Sequence, residues 1–443
     1  MKITRIEVKD VNQFKDLDID LTYPKGHAKE GQPLDRVCFI GQSGTGKTTL
    51  LKFIYGFSHK KEILKEYSLL KLIGKVHVTE KLGNWTIRNS IKQEGDKFLF
   101  SSDLKSTNNI GSLTKQQFDS AYQSNLDKIK TYLIYFPADM KYDNSALEIE
   151  KEPNAKIYDF SEDNINKVWN RLLEEIQKQQ EKELVLTQKI SSIAIEENGN
   201  IKKLQEAIDE LKQIRDARSN PLVNLAINCL NPILRHFNLQ VKTELDIKTK
   251  EDIGFIKIMD NHGNEIPNGL LSTGTKQIIL SALPLYLLDL TNTIILYDEP
   301  ERSLYPDMQK IIVDYYTSFS KDAQFFFATH SPIIASCFEP WEIVELKFED
   351  GYVIQEKYFE GERHVDNYSI VPKYLTYDLM LSKVFDVKQP NSDERNMKIT
   401  EMLTLKRQLE QMKKQNKTDA VDYKTTFNNY IAIGSKLFWD TNM

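Results

Sequence analysis

The stretch from Gly41 to Thr48 places the strongest constraint on what this chain can fold into. It reads Gly-Gln-Ser-Gly-Thr-Gly-Lys-Thr and fits the pattern G-x-x-x-x-G-K-[ST] without a mismatch. The apolar run Val37–Ile40 precedes it, and Thr49–Ile54 follows with helical character. Because the motif requires a buried strand before it and a helix after it, we predict a strand–loop–helix unit within an α/β fold.

The residue types in this loop suit the phosphates of a nucleoside triphosphate. Glycines let backbone N–H groups curl around phosphate oxygens, and the helix N-terminus adds its positive end. Lys47 is expected to reach the β- and γ-phosphates, and the Thr48 hydroxyl is expected to ligate Mg²⁺. The predicted nucleotide contacts are Gly41, Gln42, Ser43, Gly44, Thr45, Gly46, Lys47, Thr48 and Thr49.

Composition narrows the class of protein. The chain has 443 residues and a net charge of -5, so bulk charge gives no support for nucleic-acid binding, although a local basic groove is compatible with it. Its three cysteines are scattered, which favours a reducing cytosol over disulfides or a zinc site. The N-terminus does not resemble a signal peptide. The apolar run Ile278–Leu288 contains a proline and is too short to span a bilayer. We therefore expect a cytoplasmic protein without a membrane partner.

Apolar periodicity predicts the elements around the loop unit. A change in character over residues 162–217 predicts a two-helix hairpin with its turn at Glu196–Asn200, and Pro221–Phe237 is predicted as a further helix. The spacing leaves open whether the hairpin is coiled or a plain insertion. Residues 61–72 are predicted helical, 101–130 helical or irregular, and the chain from about 361 largely helical. The predicted strands and turns are 3–8, 17–21, 74–100 with a turn at Gly83-Asn84, Tyr132–Phe136, 239–248, 253–259, Asp260–Asn264 and a hairpin at 341–359.

A second apolar strand supplies two acids. Ile294–Tyr297 is followed by Asp298 and Glu299. At the carboxyl end of a parallel strand, Asp298 is placed to hold Mg²⁺ and Glu299 to polarise the attacking water. This pair complements the phosphate-binding loop.

Three more motifs occur in a family-specific order. Leu271–Gln277 reads L-S-x-G-x-x-Q, Pro300–Pro306 follows the acid pair, and Phe325–Pro332 contains His330 after another apolar strand. With the loop, these resemble the signature, D-loop and switch histidine of ABC-type ATPase heads of the SMC/Rad50/RecF group. Asn12–Lys15 is similar to the N-terminal turn of that group. The resemblance covers residues 1 to about 336.

The resemblance implies a fold and a reaction. The fold is an α/β ABC-ATPase head, with a parallel core sheet, an antiparallel β-subdomain, a helical hairpin insertion and a helical C-terminal extension. The reaction is Mg²⁺-dependent ATP hydrolysis with Glu299 and His330 as catalytic residues. Two copies are expected to pair head to tail as a homodimer. Each ATP would then lie between one phosphate-binding loop and the other copy's Ser272, Gly274 and Gln277.

One turn departs from the family pattern. Where the family places a metal-contacting glutamine, this chain has Pro137-Ala138-Asp139. Asp139 is therefore either a metal ligand beside Thr48 and Asp298 or a turn residue. A similar turn occurs in small ABC ATPases of bacterial antiphage defence, of the Septu, PARIS and overcoming-lysogenisation kind.

Three functions follow from the resemblance. The first is the regulatory ATPase of an antiphage system with a separate effector, a nuclease or toxin. The alternative is a RecF- or Rad50-like ATPase acting on DNA, and the third is a transporter subunit, which the insertion fits poorly. The C-terminal helices could simply cap the head, and we expect them both to cap it and to dock a partner. An assembly above the dimer is left open. The expected domains are 1–160 and 238–360 for the head, 161–237 for the hairpin and 361–443 for the extension.

Overall fold

The protein divides into two compact units, Met1–Tyr374 and Leu375–Met443. We describe them from a computed structural model. The residues that the structure describes are 2–58, 72–82, 85–94, 97–106, 133–140, 157–161, 166–196, 201–215, 220–243, 256–355, 371–385, 387, 391–416, 418 and 420–439.

A mixed sheet forms the frame of the first unit. Among the described residues it has 12 strands in the order β6-β5-β4-β1-β2-β15-β14-β3-β13-β12-β7-β8, and β11-β10-β9 form a separate small sheet. The strands are β1 Lys2–Val11, β2 Phe14–Asp20, β3 Arg36–Gly41, β4 Leu72–Leu82, β5 Trp85–Glu94, β6 Lys97–Ser106, β7 Leu133–Phe136, β8 Ile157–Asp159, β9 Leu239–Val241, β10 Ile258–Asp260, β11 Glu265–Ile266, β12 Ile294–Asp298, β13 Gln324–Ala328, β14 Ile343–Glu349 and β15 Tyr352–Gln355.

The large sheet has a parallel half and an antiparallel half. From β14 through β3, β13, β12 and β7 to β8, each strand is parallel to the next. From β6 through β5, β4 and β1 to β2, each strand is antiparallel to the next. Strand β15 joins the halves, parallel to β2 and antiparallel to β14. Strands β12 and β13 are buried at every position, as expected where a parallel sheet is covered on both faces. This confirms the predicted fold class.

Aromatic rings hold the central strands together behind their carboxyl ends. Tyr297 on β12 stacks on Phe136 of β7 at 4.6 Å and on Phe327 of β13 at 5.3 Å between ring centroids. Tyr316 stacks on it as well, at 4.5 Å. Because all four rings are buried, this stack fixes the positions at which the strands end.

Helices cover the sheet and form the hairpin. Asn166–Glu196 and Ile201–Arg215 pack against each other, and the first also contacts Thr273–Leu287, with Val168, Leu172 and Ile176 buried. The helices of this unit are α1 Lys47–Ser58, α2 Asn166–Glu196, α3 Ile201–Arg215, α4 Pro221–Leu225, α5 Asn231–Leu234, α6 Thr273–Leu287, α7 Pro306–Thr317 and α8 Pro332–Ala335.

The structure corrects two predicted elements. Pro221–Phe237 is not one α-helix, because a π-helical turn, Ala226–Leu230, and a 3₁₀ turn, Arg235–Phe237, interrupt it. Pro232 has no N–H to donate, and the N–H of Asn231 bonds to the carbonyl of Ala226, five residues back. Residues 101–106 continue strand β6 instead of being helical or irregular. The predictions for 61–71, Gly83-Asn84 and 107–132 lie outside the described residues.

The second unit is helical. Its helices are α9 Tyr377–Lys383, α10 Asp393–Lys414 and α11 Val421–Leu437. Helices α10 and α11 pack together around Met402, Leu409, Tyr430, Ile433 and Leu437. Within the described parts of both units, no helix has the length and apolarity that crossing a membrane would take.

Candidate functional site

The loop between β3 and α1 requires glycine at two points. Gly41 has φ +145°, and a Cβ on it would lie 2.3 Å from the carbonyl oxygen of Leu346. Gly46 has φ +87°, and a Cβ there would lie 2.4 Å from the Phe14 ring. The loop is therefore pressed against β14 on one side and the β1–β2 turn on the other.

Lys47 folds back over this loop. Its ammonium donates to the carbonyl oxygens of Gly41 at 2.9 Å and Gln42 at 3.1 Å, and lies 3.3 Å from Nδ1 of His330. The side chain is 5% exposed, and burial lowers its pKa to about 8. A phosphate anion beside it would raise this pKa again, because a nearby negative charge favours the ammonium form.

The other loop residues lie at the rim of the loop or beneath it. Gln42, Ser43 and Gly44 are exposed at the rim, and Thr49 lies partly buried in the first turn of α1. Thr45 is buried, and its hydroxyl donates to the carbonyl of Gln42 at 2.8 Å. The backbone N–H of Thr45 donates to the same carbonyl at 3.3 Å, so two hydrogen bonds close the loop.

The Thr48 hydroxyl and the Asp298 carboxylate, two oxygen ligands of the kind that Mg²⁺ prefers, lie side by side. The Thr48 hydroxyl donates to Oδ1 of Asp298 at 3.0 Å, and the Tyr135 hydroxyl lies 3.5 Å from Oδ2. Asp298 is 8% exposed, and burial raises its pKa. Within the described residues no group of three or more His, Cys, Asp or Glu side chains forms a metal cluster. A cation here would therefore rely on Thr48, Asp298 and phosphate oxygens, as Mg²⁺ commonly does.

Glu299 and His330 face each other across the ends of β12 and β13. Oε1 of Glu299 lies 3.8 Å from Nε2 of His330. Burial, together with the charge of Lys47, lowers the pKa of His330, so its ring is neutral at neutral pH. The two ring nitrogens face different partners, Nδ1 lying beside Lys47 and Nε2 facing Glu299.

Glu299 also carries backbone strain. Its φ is +49°, a conformation that costs a residue with a side chain about 1 kcal/mol or more. Its N–H donates to the carbonyl of Ala328 at 2.8 Å, which holds the strained turn in place. Strain of this kind concentrates at functional positions.

Glu301 is a residue that sequence reasoning missed. Its Oε1 accepts hydrogen bonds from the Thr329 hydroxyl at 2.6 Å and the backbone N–H of His330 at 3.1 Å. Its Oε2 is buried with no hydrogen-bond partner among the described residues, and burial raises its pKa. The sequence showed only a third acidic residue two positions after Glu299. It did not indicate that this residue binds Thr329 and His330, which follow β13.

The signature residues lie at the start of α6. Ser272 is exposed, and its hydroxyl accepts the N–H of Thr275 at 3.1 Å as an N-cap. Gly274 is buried, and a Cβ on it would lie 2.4 Å from the carbonyl of Ser303 in the D-loop. The glycine therefore permits close contact between these two motifs.

Asp139 lies in the turn after β7, and Gln277 contacts that turn. The Gln277 side chain donates to the carbonyl of Ala138 at 3.2 Å. Asp139 is exposed, and in the part of the chain that is described no hydrogen bond joins it to Thr48 or Asp298. Its turn interpretation and its metal interpretation both remain predictions.

Comparison with known proteins identifies a family. Residues 1–335 match the family model described as AAA ATPase domain. No curated protein matches the chain. Among solved structures, it is similar to an SMC head with an extended coiled coil bound to the C-terminal domain of ScpA, from Pyrococcus furiosus, at 12% identity and TM-score 0.41, covering 80% of this chain and 95% of that one.

Two further SMC heads show the same degree of likeness. One, bound to the C-winged helix domain of ScpA, has 14% identity and TM-score 0.40, covering 80% of this chain and 97% of that one. The other, from Thermotoga maritima, has 12% identity and TM-score 0.39, covering 80% and 98%. At these values the likeness carries no argument about activity or partners.

Proposed function

Because this chain belongs to the AAA ATPase domain family through residues 1–335, we propose that it is a Mg²⁺-dependent ATPase in which ATP acts as a switch. The main support for this proposal is that five side chains meet at the ends of three strands. Lys47 and Thr48 follow β3, Asp298 ends β12 with Glu299 directly after it, and His330 follows β13. These three strands are neighbours in the sheet, so their carboxyl ends meet at one edge.

Thr48 and Asp298 are the residues that would hold Mg²⁺. Their oxygens are already 3.0 Å apart, and both are hard donors that suit this ion. When bound, Mg²⁺ neutralises charge on the phosphate oxygens. Lys47 binds the phosphates from the loop side, since its ammonium already lies over the loop carbonyls.

Glu299 acts on the attacking water. Its carboxylate orients the water and accepts its proton, while the neutral His330 donates from Nε2 toward the γ-phosphate. Glu301 holds the backbone of His330 in place through its Oε1. Loss of the γ-phosphate then removes the contact that His330 makes, which is how hydrolysis could reset a switch.

A second copy completes the site in this proposal. Ser272 is exposed at the start of α6, and a helix N-terminus suits a phosphate. Ser272 and Gly274 of one copy would therefore bind the γ-phosphate of ATP held by the other. We further propose that the dimer regulates a separate nuclease or toxin in antiphage defence. Its helical second unit, residues 375–443, is the surface on which the effector docks.

Replacing Glu299 with Gln tests the proposal. Glu299→Gln retains the shape of the side chain but cannot take a proton, so hydrolysis should fall about 10²- to 10⁴-fold while ATP binding persists. The variant should form an ATP-dependent dimer that light scattering detects, and Lys47→Ala should not. Normal hydrolysis by Glu299→Gln would show that another group is the base.

The same trapped variant identifies the partner. It is purified with ATP from its native host, and the bound protein and nucleic acid are analysed. A stoichiometric nuclease or toxin supports the defence role. Recovery of DNA without a protein partner would contradict it and favour an ATPase that acts on DNA.

A further inference from the structure

The hairpin β14–β15 forms a wall beside the phosphate-binding loop. Strand β14 runs parallel to β3, with Leu346 paired to Gly41, the last residue of β3. Strand β14 then continues through Glu349 before its hairpin turn. Because β3 ends and β14 does not, the last three residues of β14 lie alongside the loop itself.

One aromatic ring on this wall reaches the loop. Phe348 lies on the same face as Leu346, since side chains alternate along a strand. Leu346 is 1% exposed, whereas Phe348 is 44% exposed. The tip of the Phe348 ring lies 3.8 Å from the point that a Cβ on Gly44 would occupy. A large apolar ring is thus half open to solvent at the rim of the loop.

We propose that Phe348 is the platform on which the base of ATP stacks. This rests on the proposed function, because it assigns the nucleoside end of the nucleotide whose phosphates Lys47 binds. With the triphosphate in the loop, the ribose and base must leave it across its rim. An exposed aromatic face there removes apolar ring surface from water when a base stacks on it.

The hairpin also provides a matched control residue. Tyr352 is 44% exposed, as Phe348 is. It pairs with Glu349, whereas Phe348 pairs with Val353, so the two aromatic rings lie on opposite faces of the hairpin. Nζ of Lys15 lies 5.0 Å over the Tyr352 ring. Tyr352 therefore tests whether any exposed aromatic residue on this hairpin matters, or only the one facing the loop.

The test compares ATP with inorganic tripolyphosphate, which has no base. Titration calorimetry of the full chain with Mg²⁺ measures both dissociation constants. Phe348→Ala should weaken ATP about tenfold, a typical loss for one base–aromatic stack, and should leave tripolyphosphate unchanged. Phe348→Leu should behave as Phe348→Ala does, Phe348→Trp should retain ATP affinity, and Tyr352→Ala should change neither ligand.

Four results would overturn the assignment. If Phe348→Ala weakened both ligands equally, the ring would support the loop and not the base. If it weakened neither, or if Tyr352→Ala matched its effect, the base would lie elsewhere. If the unaltered chain bound neither ligand, the proposed ATPase function itself would fail, and this assignment with it.

Discussion

The two halves of the proposed nucleotide site differ in how complete they are within one chain. On the loop side, Lys47 and Asp298 are 5% and 8% exposed, and contacts link them to His330 and Thr48. On the signature side, Ser272 is exposed, and its hydroxyl bonds to Thr275 of its own helix. Among the described residues, no hydrogen bond joins Ser272 to the loop. The difference suggests that one chain builds the hydrolytic half, whereas the signature half becomes useful when a second copy presents it.

The largest effect is expected from placing a negative charge at position 272 while retaining the N-cap of the helix. Aspartate caps helices as well as serine does, so Ser272→Asp should fold with unchanged stability. Its negative charge would oppose a γ-phosphate, since like charges brought together cost several kcal/mol. We expect ATP hydrolysis to fall about a hundredfold with the melting temperature retained. Normal hydrolysis would mean that Ser272 is only a cap.

The contact between signature and D-loop can be tested with two glycines. A Cβ on Gly274 would meet the Ser303 carbonyl at 2.4 Å, whereas one on Gly269 would meet nothing within 4 Å. Gly274→Ala should therefore lower the free energy of unfolding by about 1–3 kcal/mol, measured by urea denaturation. Gly269→Ala should change it by less than about 0.5 kcal/mol. Equal effects would show that this close contact is not tightly packed.

Glu301 tests how the hydrolytic half is held together. Glu301→Ala removes the acceptor for the Thr329 hydroxyl and the N–H of His330. The resulting unsatisfied donors should lower the free energy of unfolding by about 1 kcal/mol or more. Glu301→Gln retains an acceptor oxygen and should be nearly neutral in the same denaturation measurement. An equally large loss in both variants would mean that charge, not acceptance, is what Glu301 provides.

The smallest effect is a proton. The pKa of Lys47 lies below the ordinary lysine value, at about 8. In the free protein at pH 8, Lys47 is therefore partly deprotonated. A bound triphosphate favours the ammonium, so ATP binding at pH 8 should take up about half a proton. Calorimetry in buffers of different ionisation enthalpy measures this uptake. Lys47→Arg should abolish it, since arginine stays charged; uptake that persists in Lys47→Arg would assign the proton to another group.

Much of the core was predictable because its signals are local. The β3–loop–α1 unit, the buried strands β12 and β13, and the β14–β15 hairpin within the predicted range 341–359 all follow from apolar runs and glycine placement. The π-helical turn at Ala226–Leu230 was not predictable, because five residues are too few for apolar spacing to distinguish it from an α-helical turn. It depends on which carbonyl the N–H of Asn231 selects.

The sequence motifs pick out the residues of the candidate site but not the contacts between them. The motif order picked out Lys47, Thr48, Asp298, Glu299 and His330, and the structure brings all five together. The roles of Glu301 and Phe348 could not be assigned from the sequence, because they depend on neighbours 28 and 304 residues away along the chain, Thr329 and Gly44. The family match bears out an ATPase, whereas the subgroup and the defence role stay predictions.

The central claim, that two copies share each site, is tested most directly by mixing two inactive variants. Lys47→Ala lacks a working loop but has an intact signature, and Ser272→Asp has the reverse. If sites form between copies, mixed dimers contain one intact site, so ATP hydrolysis should reappear on mixing. The account predicts recovery to a substantial fraction of the unaltered rate, rising with protein concentration. Mixtures with only the sum of the two residual rates, in samples shown to exchange subunits, would contradict it.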